Sequence, residues 1–267
     1  MSKAPVGIFD SGIGGLTVAG EIRRLLPHES TIYFGDTARV PYGPKSPETV
    51  RRYAREILDW LLHQDVKAIV VACNTVTAHA LDDLRARSPV PVIGVIEPGA
   101  RGAVKATISG NVGVIGTTGT VASGAYRQAL QKIRADLRVL EQACPLFVPL
   151  VEEGWFDHEA TRLVAEEYLR PLRKHGIDAL VLGCTHYPML KPLLHRVMGE
   201  GVRLIDSAEE TAAELAHVLN EMGLNAPAGG STVQRWVATD DAARFARVGA
   251  VFIGGSPAPV EIVELHA

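Results

Sequence analysis

The sequence is poor in the features that mark several classes of protein. Its 267 residues include three cysteines, and none of them belongs to a Cys-x-x-Cys pair. The sequence therefore gives no sign of a disulfide framework or of the short ligand spacing found in structural zinc sites. It has no basic run, and its net charge of −3 gives no signal of binding to nucleic acid or to an acidic membrane.

Long apolar segments are lacking as well. No stretch approaches the ~20 apolar residues that cross a bilayer, and the first residues, MSKAPVGIFDSG, do not contain the apolar centre of a signal peptide. The chain is long enough for one large domain or two ordinary ones. We expect a cytoplasmic protein with no nucleic-acid partner and no membrane partner.

Two short aliphatic segments each lead to a cysteine. Residues 68–72 (AIVVA) precede Cys73, and residues 179–182 (ALVL) precede Cys184. Aliphatic runs without polar alternation are typical of parallel strands covered on both faces, and ligands bind at the carboxyl ends of such strands. Both thiols are therefore predicted to lie where a site forms.

The similarity between the two halves extends to an earlier strand. Residues 6–12 (VGIFDSG) match residues 112–119 (VGVIGTTG), so this pair and the two cysteines are offset by 106 and 111 residues. A repeat of about a hundred residues has the length of a domain. The predicted fold class is α/β, with two similar parallel-sheet domains related by pseudo-symmetry and an active site in the cleft between them. The general likeness of any two α/β units is the alternative.

A glycine-rich loop, residues 10–15 (DSGIGG), follows the first predicted strand and precedes a predicted helix. Such a junction offers backbone N–H groups to an anion. It matches the dinucleotide pattern G-x-G-x-x-G only weakly, because Thr17 occupies the third glycine position. Asp10 favours a substrate that carries an ammonium group, and capping of the turn is its alternative role.

Further polar residues follow other predicted strands. The proline-rich loop at residues 35–47 is predicted to be a lid or specificity element, or else a surface turn with Tyr42 packed over the core. Thr117 and Thr120 follow the strand that restarts at Val112. They would either cap the next helix, the interpretation favoured for Thr120, or hold a carboxylate.

Three other segments complete the sequence-based assignment. Residues 147–151 are predicted to form a strand that ends at Glu152, and residues 250–253 a strand near the C-terminus. His186 lies two residues from Cys184 and can tune its thiol. Cys144 has no partner motif and is predicted to be a core residue.

Cysteines in this arrangement suit three kinds of chemistry. Acyl transfer needs one cysteine with a base and an oxyanion hole, which leaves the second thiol redundant. A zinc site made of Cys73, Cys184 and His186 lacks the usual short ligand pairing. Two thiols on opposite faces of one carbon would let one remove a proton while the other donates one, which inverts a stereocentre.

The motifs together resemble the cofactor-independent aspartate/glutamate racemase family, and within it the glutamate racemases. Four segments carry the resemblance, in the family's order: residues 9–18 (FDSGIGGLTV), 34–43 (FGDTARVPYG), 72–75 (ACNT) and 182–188 (LGCTHYP). The resemblance implies that L- and D-glutamate are interconverted without cofactor or metal, supplying D-glutamate for peptidoglycan. We also expect a homodimer that acts on this small-molecule substrate.

The resemblance also implies a division into domains, and alternative functions stay open beside it. One domain would contain residues 1–97 and be completed by the tail, residues 207–267, and the other would contain residues 98–206. An aspartate-type racemase is the alternative within the class. A nucleotide-binding oxidoreductase or a non-catalytic binding module that uses the glycine loop is the alternative from another class.

The family's site residues transfer onto the matching positions. The resemblance implies that Cys73 takes the α-proton from D-glutamate and Cys184 takes it from L-glutamate, assisted by Asp10 and His186 respectively. Asp36 and Glu152 are lesser contributors. The expected substrate-binding residues are Ser11, Tyr42, Gly43, Asn74, Thr75, Thr117, Thr120 and Thr185.

Overall fold

A computed structural model describes residues 1–229, 231–257 and 259–265. Residues 230, 258, 266 and 267, which belong to the predicted first domain, lie outside the described residues. None of the helices in the described ranges combines the length and hydropathy required to span a membrane.

Alternating strands and helices form the chain. The first half contains β1 (Val6–Asp10), α1 (Leu16–Leu25), β2 (Thr31–Gly35), α2 (Pro47–Leu62), β3 (Ala68–Val71), α3 (Asn74–Arg87) and β4 (Val92–Gly94). The second contains α4 (Ile96–Ala106), β5 (Asn111–Gly116), α5 (Thr118–Ser123), α6 (Ala125–Ile133), β6 (Arg138–Ala143), α7 (Phe147–Glu152), α8 (Glu159–Lys174), β7 (Ala179–Gly183), α9 (Lys191–Met198) and β8 (Arg203–Asp206). The tail adds α10 (Ser207–Glu221), β9 (Gln234–Ala238), α11 (Ala242–Ile253) and β10 (Val260–Ile262).

The strands form two parallel sheets with the same internal order. The six-stranded sheet runs β10-β9-β2-β1-β3-β4, and the four-stranded sheet runs β6-β5-β7-β8. The segment β2-β1-β3-β4 therefore has the order of the whole second sheet, and all recorded pairings are parallel. The predicted α/β class with two similar parallel sheets is confirmed. The tail contributes β9 and β10 to the edge of the first sheet.

The strands that lead to the two cysteines are apolar throughout. All residues of β3 and β7 are buried, because helices cover both faces of each sheet. Each strand ends just before its cysteine, and Cys73 is also the N-cap residue of α3. The carboxyl ends of parallel strands meet at one edge, so each sheet presents one thiol there.

Several sequence-based element assignments were wrong. Residues 147–151 belong to helix α7, and the strand beside β5 is β6, which is only partly buried at the sheet edge and lacks an aliphatic run. Residues 250–253 end helix α11. The predicted domain boundary after residue 97 falls in the first turn of α4, and the division into domains remains a prediction.

A buried ion pair joins the N-terminal residues to the tail. Lys67 Nζ lies 2.5 Å from Glu29 Oε2, and the two side chains are 2% and 4% exposed. The ammonium group also donates hydrogen bonds to the carbonyl oxygens of Ser2 and Leu224, while Glu29 Oε1 accepts one from the Ala226 backbone. The pair thus connects three segments that are distant in sequence.

Replacing Lys67 by methionine is expected to lower the free energy of unfolding by about 3–5 kcal/mol, because it leaves a buried carboxylate without its counter-charge. Urea denaturation would measure the loss. Arg24→Met, which breaks the exposed Arg24–Glu21 pair, is the matched control and should change little. A Lys67→Met protein as stable as the control would contradict the expected role of the pair.

Candidate active site

The two cysteines line one cavity between the halves of the chain. The cavity encloses about 480 Å³ of empty space, part of it open to solvent. Eleven of the predicted site residues line it: Ser11, Tyr42, Gly43, Cys73, Asn74, Thr75, Thr117, Glu152, Cys184, Thr185 and His186. The three others, Asp10, Asp36 and Thr120, lie behind lining residues, as described below.

Cys73 lies in an environment that favours its protonated form. The residue is 6% exposed, and its thiol donates a hydrogen bond to Ser11 Oγ at 3.6 Å. Burial, followed by the charge of neighbouring Asp10, raises the pKa of Cys73 to about 12. The thiol therefore keeps its proton at neutral pH.

The carboxylate of Asp10 binds the backbone of the glycine loop. Its Oδ2 atom accepts hydrogen bonds from the backbone N–H groups of Gly12 and Gly15, both at 3.1 Å. These two N–H groups are thus already occupied, which weakens the anion-site interpretation of the loop. Burial raises the pKa of Asp10, and among the described residues Oδ1 has no hydrogen-bond partner. This oxygen remains available for a proton on Cys73 or on a ligand.

Cys184 is linked to Glu152 through the imidazole ring of His186. His186 Nδ1 lies 3.9 Å from Cys184 Sγ, and His186 Nε2 lies 3.0 Å from Glu152 Oε1. Burial disfavours the charged imidazole, but the hydrogen bonds to Cys184 and Glu152 outweigh it and raise the pKa of His186 to about 10. A protonated His186 directs an N–H group at each partner, and a thiolate is the matching acceptor on the cysteine side.

A cluster of hydroxyl groups joins the two halves across the cavity. Thr75 Oγ1, at the start of α3, lies 2.8 Å from Thr117 Oγ1 and 3.3 Å from Thr120 Oγ1. Thr117 caps α5 by accepting the N–H of Thr120 at 3.2 Å, so the favoured capping role of Thr120 was wrong. Nearby, Asn74 Oδ1 accepts the Tyr126 hydroxyl at 2.7 Å, and among the described residues its Nδ2 donor has no partner.

The loop after β2 is held over the cavity by both halves. Asp36 is buried beneath the loop and accepts hydrogen bonds from the Tyr42 hydroxyl, from Arg39 Nε at 2.7 Å and from Thr239 Oγ1 at 3.0 Å. Across the cleft, the N–H of Gly119 donates to the Gly43 carbonyl at 2.9 Å. Asp36 therefore acts through Tyr42, and the loop closes one wall of the site.

The described side chains do not form the zinc site considered above. Within the described ranges, no group of three or more histidine, cysteine, aspartate or glutamate side chains is placed to hold a metal ion. The geometry instead places two separate acid–base groups around one cavity, with Asp10 beside Cys73 and the His186–Glu152 pair beside Cys184.

Comparison with known proteins identifies the family. The sequence pattern described as Asp/Glu/Hydantoin racemase matches residues 17–215. The chain belongs to this racemase family. A glutamate racemase from Geobacter metallireducens is 54% identical over 262 residues, which cover 98% of this chain and 97% of the relative. The resemblance stated from the four motifs is confirmed, and the chain is an amino-acid racemase, an isomerase.

Solved structures of racemases have the same fold. A glutamate racemase isoform from Bacillus anthracis superposes with a TM-score of 0.95 at 42% identity, covering 99% of each chain. A glutamate racemase from Francisella tularensis, solved in complex with D-glutamate, superposes with a TM-score of 0.93 at 38% identity, also covering 99% of each chain. These similarities favour the racemase over the oxidoreductase and binding-module alternatives.

Sequence reasoning did not single out Val148, Thr239 or Arg244 as contributors to the site. Val148 lines the cavity from α7, a helix that was assigned as a strand. Thr239 and Arg244 reach Asp36 and Glu152 from the tail. No local motif surrounds the two tail residues. The one signal for Arg244 is its position in the first turn of α11, where an acidic residue is usual.

Proposed function

We propose that the protein interconverts L- and D-glutamate, with Cys73 and Cys184 acting as the two acid–base groups on opposite faces of the α-carbon. The observation that carries the proposal is that corresponding strands of the two halves bring one thiol each to a single cavity. The substrate is inferred from the glutamate racemases that are about half identical to the chain. A two-sided arrangement suits a reaction whose substrate and product are mirror images, because the two groups exchange roles in the two directions.

The surroundings of the two thiols fit the conversion of L-glutamate. Cys73 is held as a thiol by burial and by Asp10, so it can donate a proton to the carbanionic intermediate. Cys184 faces His186 Nδ1 at 3.9 Å, and in the proposed step the imidazole N–H stabilises the negative charge on the sulfur that accepts the α-proton. After one turnover Cys73 is the thiolate and Cys184 the thiol, which is the state required for D-glutamate.

Polar side chains in and beneath the cavity wall are suited to hold the substrate. Asn74 Nδ2 is a buried donor that can bind a carboxylate, and the hydroxyl groups of Thr75 and Thr117 face the same cavity. Asp10 Oδ1 is a buried acceptor that can take a proton from the substrate's ammonium group or from Cys73. We assign Ser11, Tyr42, Gly43, Thr120 and Thr185 to the same binding surface or its support.

Incubation with L-glutamate in heavy water tests the proposal. We expect the α-hydrogen to be replaced by deuterium and the optical rotation to decline to zero without added cofactor. L-aspartate under the same conditions should react much more slowly. Rapid racemisation of aspartate with inert glutamate would favour the aspartate-type alternative, and no reaction with either would contradict the proposed function.

The protein is further proposed to act as a cytoplasmic homodimer that supplies D-glutamate for peptidoglycan. The support is its similarity to glutamate racemases over 98% of its length. Light scattering coupled to size-exclusion chromatography should give twice the mass of one 28.6 kDa chain. A single-chain mass across the working concentration range would contradict the homodimer.

A further inference from the structure

The carboxylate of Glu152 has two partners that come from different parts of the chain. Its Oε1 atom contacts His186 Nε2 at 3.0 Å within the second half, and its Oε2 atom accepts a hydrogen bond from Arg244 Nη2 at 2.8 Å. Glu152 ends α7, whereas Arg244 lies in the first turn of α11 in the tail. Arg244 therefore connects the tail, which extends the first sheet, to the His186–Glu152 pair beside Cys184.

The position of Arg244 is unfavourable for its own helix. Asp241 caps α11 and accepts the backbone N–H of Arg244 at 2.9 Å, so Arg244 lies at the positive end of the helix dipole. A cation there opposes the dipole, and α11 has no acidic residue in its first turn. A residue that breaks a local preference is expected to have a compensating tertiary contact, and here that contact is Glu152.

Glu152 lies where two neighbouring cavities meet. It lines the active-site cavity, and it also lines a second cavity together with Asp240, Asp241 and Arg244. The charged groups that face it are therefore His186 and Arg244 in direct contact, and the two aspartates across the second cavity. Of these, Arg244 is the cation that contacts Oε2, the carboxylate oxygen that His186 does not use.

We propose that Arg244 is a positioning residue for the Cys184 half of the reaction, fixing the Glu152 carboxylate against His186 so that Nδ1 of His186 faces Cys184. The proposal rests on the proposed two-thiol function. Arg244 touches neither thiol and does not line the active-site cavity, so it acts only through Glu152. Because Glu152 ends α7 and Arg244 lies in α11 of the tail, the contact depends on how these two helices are placed relative to each other.

Removal of Arg244 has two physical consequences. Glu152 keeps a single partner and can rotate toward solvent, which loosens the orientation of His186. Burial tends to raise the pKa of Glu152, but His186 and Arg244 together hold it below its usual range. Loss of the guanidinium therefore raises the pKa of Glu152, and its protonation, which removes the acceptor for His186, begins at a higher pH.

The test compares Arg244→Ala with Arg247→Ala, an exposed arginine one turn further along the same helix. Arg244→Ala is expected to lower kcat for L-glutamate about tenfold, the scale of coupling between residues in contact, while Arg247→Ala stays near wild type. The acidic limb of the kcat/KM profile should move to higher pH only in Arg244→Ala. Arg244→Lys should recover part of both effects.

Two further measurements separate positioning from a general structural role. In a Glu152→Gln background, Arg244→Ala should add little, because the residue acts through that carboxylate. The α-deuterium isotope effect should rise for L-glutamate and not for D-glutamate, since only the Cys184 step is slowed.

If wild type racemises glutamate but Arg244→Ala matches Arg247→Ala in rate and pH profile, the inference is wrong. If wild type is inert toward glutamate, the proposed function fails first.

Discussion

Serine in place of either Cys73 or Cys184 is expected to lower racemisation by about 10²–10⁴-fold, the contribution of a positioned general acid or base. The substitution exchanges one atom and keeps the size of the side chain. A hydroxyl is a far weaker acid than a thiol, so serine can supply neither the base that removes the α-proton nor an acid that readily returns it. The initial rate of loss of optical rotation from L-glutamate and from D-glutamate measures both variants.

Cys144→Ser is the matched control for this experiment. Cys144 is fully buried, and its thiol donates to the Gln142 carbonyl, a bond that serine can keep. It does not line the active-site cavity, so activity should stay near wild type. Near-normal turnover by Cys73→Ser or Cys184→Ser would exclude the two-base mechanism.

Hydrogen exchange assigns each thiol to one enantiomer. Cys184→Ser keeps Cys73, and we expect solvent deuterium to enter D-glutamate in preference to L-glutamate, with little inversion. Cys73→Ser should show the opposite preference. Exchange into the same enantiomer by both variants would mean that the two thiols do not act on opposite faces of the α-carbon.

The parts of the fold that the sequence predicts are those with a strong local signal. The strands before Cys73 and Cys184 are uninterrupted aliphatic runs, and burial on both faces demands such runs. Strand β6 was missed because it lies at a sheet edge, where polar residues such as Glu141 and Gln142 are tolerated. The apolar segment at residues 147–151 has the composition of a short strand but forms a helical turn.

Long-range contacts account for what the sequence could not predict about the site. Glu152 lines the cavity as expected, but it is placed there by helix α7 and not by a strand. The tail residues Thr239 and Arg244 contact Asp36 and Glu152 more than ninety residues away in the chain. No periodicity or local motif encodes such a contact, because it depends on the pairing of β9 with β2 in the first sheet and on the packing of α11 against α1.

The glycine loop illustrates the same limit at Gly14. The sequence suggested that its glycines free backbone N–H groups for an anion, but the structure gives Gly14 a different role. A Cβ atom on Gly14 would lie 2.3 Å from Thr185 Oγ1 and 2.4 Å from His186 Nδ1. The residue is glycine because the loops of the two halves meet there without room for a methyl group.

Gly14→Ala is therefore expected to lower kcat/KM about 10²-fold, the scale of a displacement of a catalytic group by about 1 Å. The His186 ring cannot move aside freely, because it is buried and contacts both Glu152 and Phe252, whose ring is nearly perpendicular to it. Either the ring turns away from Cys184 or the loops move apart, and both change the cavity. Kinetic constants for both enantiomers, with thermal unfolding of the same samples, measure the effect.

Gly20→Ala separates this steric effect from the general cost of changing a glycine. Gly20 lies inside α1, and a Cβ atom there would be 4.0 Å from its nearest neighbour, Ile253. Alanine should leave activity unchanged and stabilise the helix by about 0.5–1 kcal/mol. If Gly14→Ala is as active as Gly20→Ala, the loops must have enough freedom to admit a methyl group. The close approach of Gly14 to His186 would then not be what holds the imidazole against Cys184.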